Sequence, residues 1–297
     1  MNLYDEIKSH FELPNAFTDW TDYRNTLTDY LISETDQITL PLSFRPDMAQ
    51  SDFLPTLAII GAGACNDLNL QVLSAHFSKI TLIDYDTAAM KKALITYHSE
   101  DNPVIELFPV SLNGLDDSDY RHFCEQLQSF ARTSNFPLSR ERFDQYALSL
   151  LELYYQKSRQ RTIPLLPASY DYIWCFGVHS QLQAMFSYIY HVFDVNLHDT
   201  FVKDTLNASS LFTNRLKEEN NFFIPLFDNA LLASAKKAVF IGCERRRTGQ
   251  DEAVEGAYQA IHDLQSRNLP LTKKVILWPF RPADNLFYEM LIQKITL

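Results

Sequence analysis

The sequence predicts an α/β fold: a doubly wound, mostly parallel seven-stranded sheet with an antiparallel C-terminal strand, plus N-terminal helices and a helical insertion. Three observations carry this. From Pro55 onward, short apolar runs rich in β-branched residues alternate with stretches of helical periodicity. The runs are near-continuous in apolar residues, the mark of strands covered on both faces. The last two runs are joined by too few residues for a crossover helix, so they must pair antiparallel. Residues 1–54 read as an N-terminal helical segment and 55–297 as the sheet domain, with the insertion at about 116–168.

Each element has its own signal. In the N-terminal segment, Asp5 to Phe11 is a short helix candidate. Thr21 to Ile32 is a second, with Tyr23, Leu27, Tyr30 and Leu31 at helical spacing, and Pro41 and Pro46 break the pattern that follows. Thr56 to Ile60 is a buried strand ending at Gly61. The next helix runs from about Leu68 to Phe77, with Asn66 or Asp67 placed as its N-cap. Ile80 to Ile83 is the second strand, closed by Asp84; Thr87 to Tyr97 is helical; Val104 to Val110 is the third strand. In the insertion, Phe143, Tyr146, Ala147, Leu150, Leu151 and Tyr154 follow the i, i+3, i+4, i+7 rule of an amphipathic helix. Tyr170 to Phe176 and Lys237 to Gly242 are the next strands. Helices are expected at Gln181 to Val192, Phe201 to Ala235 and Glu252 to Arg267. Lys274 to Trp278 and Leu286 to Leu297 close the sheet.

Composition narrows the function. The 297 residues carry 26 Lys and Arg against 37 Asp and Glu, a net charge of −11. Anionic polymers and lipid surfaces repel such a chain, so neither nucleic acid nor membrane is an expected partner. No stretch approaches the roughly 20 apolar residues of a membrane span. Met1 to Phe11 carries Asp5, Glu6, Lys8 and His10, unlike a signal peptide. The four cysteines, Cys65, Cys124, Cys175 and Cys243, show no CxxC spacing and sit mostly in apolar runs, so reduced thiols and a cytoplasmic location are expected. A small molecule is the expected partner, and the oligomeric state stays open.

Only 7 residues are glycine, so each marks a place where a side chain does not fit. Gly61 and Gly63, flanking Ala62, end the first strand. They permit a tight turn and close approach of backbone to a ligand, ahead of a helix with free N–H groups. Asp84 closes the second strand at 84 − 61 = 23 residues after the first glycine, where a carboxylate can accept both hydroxyls of a ribose. A plain helix-cap role for Asp84 and Asp86 is the competing reading. A dinucleotide fingerprint needs a third small residue under the pyrophosphate, and here Asn66 stands there beside Asp67, whose charge repels phosphate. An acid at that position suits a ligand bearing an ammonium group, which favours S-adenosylmethionine over NAD.

With these residues in view, 55–297 resembles the class I S-adenosylmethionine-dependent methyltransferases. Leu57 to Leu70 is similar to the family's glycine-rich first motif. The resemblance implies that Gly61, Ala62, Gly63, Asn66 and Asp67 surround the methionine end, that Asp84 with Tyr85 takes the ribose, and that Ser111 and Leu112 flank adenine. DYIWCFGVHSQL, with Gly177 and Val178, resembles its fourth-strand motif, and FYEMLIQKI its final antiparallel strand. The chain departs from the pattern at Ile59, where family members often carry an acid, at Cys65, the place of a third glycine, and at Ser111, usually an acid.

Methyl transfer from a sulfonium is an in-line displacement, so the protein positions the nucleophile and, where needed, removes its proton. His179, just past the fourth strand, is the candidate base, against a plain capping or lid role; Ser180 is read as a helix cap. In ERRRTG, after the fifth strand, Arg245 and Arg246 are candidates for a substrate carboxylate or phosphate, as is Arg281; a solvated loop is the bland alternative. Cys65, Cys175 and Cys243 with His179 form a conceivable zinc set, but strand cysteines ordinarily face a core, and no metal is expected. Two other functions compete: a catalytically inactive interaction module, and an NAD(P)-dependent oxidoreductase.

Overall fold

The computed structural model describes residues 2–10, 13–36, 54–134, 139–160, 166–197, 209–249 and 254–297. Seven strands make one sheet: β1 (Thr56–Ile60), β2 (Lys79–Asp84), β3 (Ile105–Pro109), β4 (Tyr170–Phe176), β5 (Ala235–Arg247), β6 (Leu271–Arg281) and β7 (Leu286–Thr296). Their order is β3-β2-β1-β4-β5-β7-β6. The pairs among β1 to β5 are parallel, and β7 runs antiparallel to both β5 and β6. The reversed C-terminal strand β7 is slotted between β5 and β6. A 3-10 turn at Pro282–Asp284, closed by Asn285 at φ 52, makes the reversal. Strand order changes direction between β1 and β4, so the crevice that such a sheet offers a ligand opens at their carboxyl ends.

Helices α2 (Ala16–Asp19), α3 (Thr21–Asp36), α4 (Leu70–Leu73) and α5 (Thr87–Thr96) cover one face of the sheet. There Trp20, Tyr23, Leu27 and Leu31 pack with Ile59, Tyr172, Trp174 and Phe240. The opposite face is covered by α9 (Ser209–Ser234) and α10 (Ala257–Ser266), through Phe223, Ile224, Phe227, Ala260 and Leu264. A third core lies beside the sheet. In it α1 (Leu3–Ser9), α6 (Asp117–Thr133), α7 (Arg140–Gln160), α8 (Ala184–Leu197) and the start of α9 enclose Phe123, Phe143, Tyr155 and Phe186.

The structure departs from the sequence expectations at several points. The helix expected from Leu68 to Phe77 is the four-residue α4, and its N-cap is Asn69, which accepts from the Val72 N–H at 3.2 Å, not Asn66 or Asp67. Ser180 caps nothing: α8 begins at Ala184. The N-terminal segment does not act as one piece, since α1 joins the third core and α3 joins the sheet. The arginines expected in a loop extend β5, because β7 continues to pair with them as far as Arg247. The insertion gains α6, opened by a reciprocal cap between Asp116 and Asp119. Phe11, Pro41, Pro46, the start of the helix expected at Phe201 and Glu252 lie outside the described residues.

Candidate active site

The turn after β1 is built from backbone that a side chain would obstruct. Gly61 has φ +67, and a Cβ there would run into Val178 Cγ2 from the turn after β4. The two turns therefore close-pack only because the first residue is glycine. Gly63 has φ +48, and a Cβ on it would meet nothing within 4 Å, so the turn opens outward at this residue. Cys65 takes φ 48, the left-handed backbone that suits a glycine, so the loop keeps its path without the third glycine. Helix α3 holds the same loop from the side. Arg24, buried, donates to the Asn66 carbonyl at 3.2 Å, and the Asn69 N–H donates to Thr28 Oγ1 at 3.0 Å.

Asp84 is turned toward this turn rather than capping the next helix. Its Oδ2 accepts from the Gly63 N–H at 2.9 Å and its Oδ1 from the Asp86 N–H at 2.8 Å, while Asp86 caps α5 by accepting from Ala89. Burial pushes the Asp84 carboxyl above its ordinary range, with the two N–H donors opposing the rise. Gly61, Gly63, Asp84, Gly177 and Val178 thus come together at the carboxyl ends of β1, β2 and β4. Ala62 is buried in the turn, its N–H bonded to the Ile83 carbonyl at 3.2 Å. At the neighbouring end of β3, Leu112 packs toward the α9–α10 core. Ser111 Oγ lies 2.5 Å from the Leu115 carbonyl, so its hydroxyl shapes its own turn. Tyr85 is 44% exposed, with the Lys8 ammonium 5.9 Å from its ring centroid.

Asp67 lies under α3. Burial pushes its carboxyl up to about 6, against the lowering influence of its own backbone N–H and of the Arg24 guanidinium. Tyr23 on α3 feels two acids, Asp67 and Glu244, and its hydroxyl is raised well above the ordinary range, chiefly by burial. Glu244 ends the buried part of β5. Its Oε1 accepts from Ser180 Oγ at 2.9 Å and lies 3.6 Å from where a Cβ on Gly177 would sit. Among the described residues its Oε2 is buried with no partner, as are the Trp174 and Trp278 indole nitrogens, and burial raises its carboxyl.

Sequence reasoning passed over Glu244, Tyr23, Trp174 and Trp278. The signal for Glu244 was available: like Asp84, it is an acid directly after a buried apolar strand.

His179 is not placed as a free base. It is 1% exposed, with Nε2 2.9 Å from Asp228 Oδ1 on α9 and Nδ1 3.8 Å from Cys243 Sγ, so both ring nitrogens face the core behind the sheet. The three cysteines of the conceivable zinc set lie on opposite faces, Cys65 with the α3 core and Cys175 and Cys243 with the α9–α10 core. Arg245 and Arg246 pair with Glu289 at 3.8 and 2.9 Å. Together with His262 and Lys273 they line a groove of about 600 Å3 on the α10 side, away from the glycine turn. Arg281 pairs with Asp284 at 3.4 Å.

No protein-family model and no curated protein sequence matches the chain. Among solved structures it is similar to magnesium protoporphyrin IX methyltransferase from Synechocystis PCC 6803 with bound SAM, at 8% identity. That match covers 98% of this chain and 88% of that one, with a TM-score of 0.44. It is also similar to the N-methyltransferase NodS from Bradyrhizobium japonicum WM9 in complex with S-adenosyl-L-homocysteine, at 10% identity, over 100% and 98% of the chains, with a TM-score of 0.43. A SAM dependent methyltransferase from Aquifex aeolicus matches at 10% identity over 100% of both chains, with a TM-score of 0.43. At such identities these sequences lend nothing to the assignment of residues here.

Proposed function

We propose that this chain is an S-adenosylmethionine-dependent methyltransferase acting on a small molecule in the cytoplasm. The observation that carries it is the turn after β1: Gly63 faces open space while its N–H is held by the Asp84 carboxylate at 2.9 Å. A nucleoside sugar meets there a backbone it can approach and an acid with free lone pairs. Asp67, half-buried beside the same loop, suits the ammonium of the methionine end and would repel a pyrophosphate, which disfavours a nicotinamide dinucleotide. Ser111 and Leu112 stand at the end of β3 for adenine. When bound, S-adenosylmethionine supplies an electrophilic methyl group on a sulfonium. The chain supplies position and a dry surround: α3 and the turn after β4 flank the crevice, and acceptor groups approach from the β4–β5 side. Four free, buried cysteines support a reducing compartment, and the net charge of −11 speaks against nucleic acid as acceptor.

Calorimetry with S-adenosylmethionine tests this. Wild-type protein is expected to bind, and Asp84→Ala to bind roughly tenfold or more weakly, since hydrogen bonds to a charged group are worth about 1.5–3 kcal/mol. Gly63→Asn, a residue that tolerates the φ of +48 and whose Cβ would meet nothing within 4 Å, is expected to lose binding while still folding. Equal affinity in all three proteins would remove the proposal.

A further inference from the structure

We infer that the acceptor carries a cationic amine, read by Glu244 at the carboxyl end of β5 inside an aromatic enclosure formed with α3. This rests on the methyltransferase reading for the word acceptor, but the recognition itself stands on side chains already in place. Glu244 is 4% exposed, and its Oε2 is buried without a hydrogen-bond partner among the described residues. An unmatched buried carboxylate is costly, and a ligand ammonium is the group that offsets the cost most directly.

The surroundings point to the same class. Gly242, two residues before Glu244 on the same strand face, leaves room for the Phe176 ring to lie over the backbone, where a Cβ would collide with it. Phe176 stacks on Trp174 with ring centroids 3.7 Å apart. On the α3 side, Tyr23 stacks on Trp278 at 6.2 Å, and Tyr23 is the ring that feels both Glu244 and Asp67. Ring faces carry negative potential, so aromatic walls and a carboxylate attract an organic cation together. A carboxylate or phosphate would be repelled by both acids. The arginines that would welcome such an anion lie instead on the α10 side of the sheet.

Phenethylamine, 2-phenylethanol and 3-phenylpropionate share a ring and differ in charge, which makes them suitable probes. Their binding is read by quenching of tryptophan fluorescence in the full-length protein, which needs no turnover. The amine is expected to bind at least roughly tenfold more tightly than the alcohol or the acid, in line with a charge-assisted contact. Glu244→Gln, which keeps the Ser180 contact, is expected to abolish that preference. Equal binding of the three probes, no binding of the amine, or an unchanged preference in Glu244→Gln overturns the inference. S-adenosylmethionine calorimetry on Glu244→Gln separates the two readings. Loss of cofactor affinity with amine preference intact assigns Glu244 to the cofactor and overturns the acceptor role. Amine preference without cofactor binding leaves this recognition standing and removes the methyltransferase.

Discussion

Asp67 shows how one side chain ties site to stability. Burial raises its carboxyl from 3.8 to about 6, so the folded chain holds this proton more tightly than the unfolded chain does. Between those values the native state binds more protons, and stability falls as pH rises through the window. The total is roughly 3 kcal/mol, lost by pH 6 and absent from any variant that cannot ionise. Urea unfolding of Asp67→Asn across pH 4 to 7.5 should show a flatter profile and higher stability than wild type at neutral pH. A wild-type slope in the variant would assign the pH dependence elsewhere. Asp84 was legible in the sequence because it stands at a set distance from a glycine pair. Glu244 carried a similar signal, an acid directly after a buried apolar strand, but the three arginines that follow it obscured it, and nothing local tells that its carboxylate turns inward.

The turn after β4 is an element held from behind. His179 is bonded to Asp228 of α9, and its carbonyl sits where a Cβ on Gly256 would collide, so α10 presses on the same residue. Removing the imidazole leaves Asp228 buried without its partner. His179→Ala should therefore cost roughly 1–3 kcal/mol in equilibrium unfolding, the penalty for leaving a buried hydrogen-bonding group unmatched. Turnover, measured where the variant is folded, should follow the folded fraction. Wild-type stability with lost turnover would restore the histidine to the chemistry. At this scale the strands were the most legible elements, since a buried strand needs an unbroken apolar run and little else. Helix α4 was not: its apolar residues continue past Leu73, but the chain turns away to deliver Phe77 to the core between sheet and helix. Helix α6 carried a readable signal in the Asp116–Asp119 cap that the apolar pattern overshadowed.

The molecule has two faces of sheet core and a helical core beside them. The helical core depends on packed rings: Phe123 lies edge to face with Phe186 at 4.9 Å, and Tyr120 lies tilted 5.0 Å from it. Helix α1 is tied to this core by Tyr4, which donates to Asp117 at 3.0 Å, and by the Lys8–Asp117 ion pair at 2.5 Å. Phe186→Ala should cost roughly 3–5 kcal/mol, as for other buried aromatic truncations. Hydrogen exchange should show the loss concentrated in α1, α6, α7 and α8, with the turn after β1 still protected. Uniform loss across the sheet would mean that the cores unfold as one. The N-terminal segment's division between two cores had no trace in the sequence, because α1 and α3 are each simply amphipathic and either partner would bury them.

Periodicity, apolar runs and scarce glycine are properties of neighbouring residues. They were enough to determine the strands, their parallel sense, the reversed C-terminal strand, and the pairing of the glycine turn with Asp84. Where a polar side chain points is a property of the packed molecule. Folding alone decided that His179 turns into the core, that the arginines leave the crevice, and that Glu244, Tyr23, Asp67 and two tryptophans converge. Each of these depends on contacts between segments far apart in the chain, and burial, not local pattern, chooses among them.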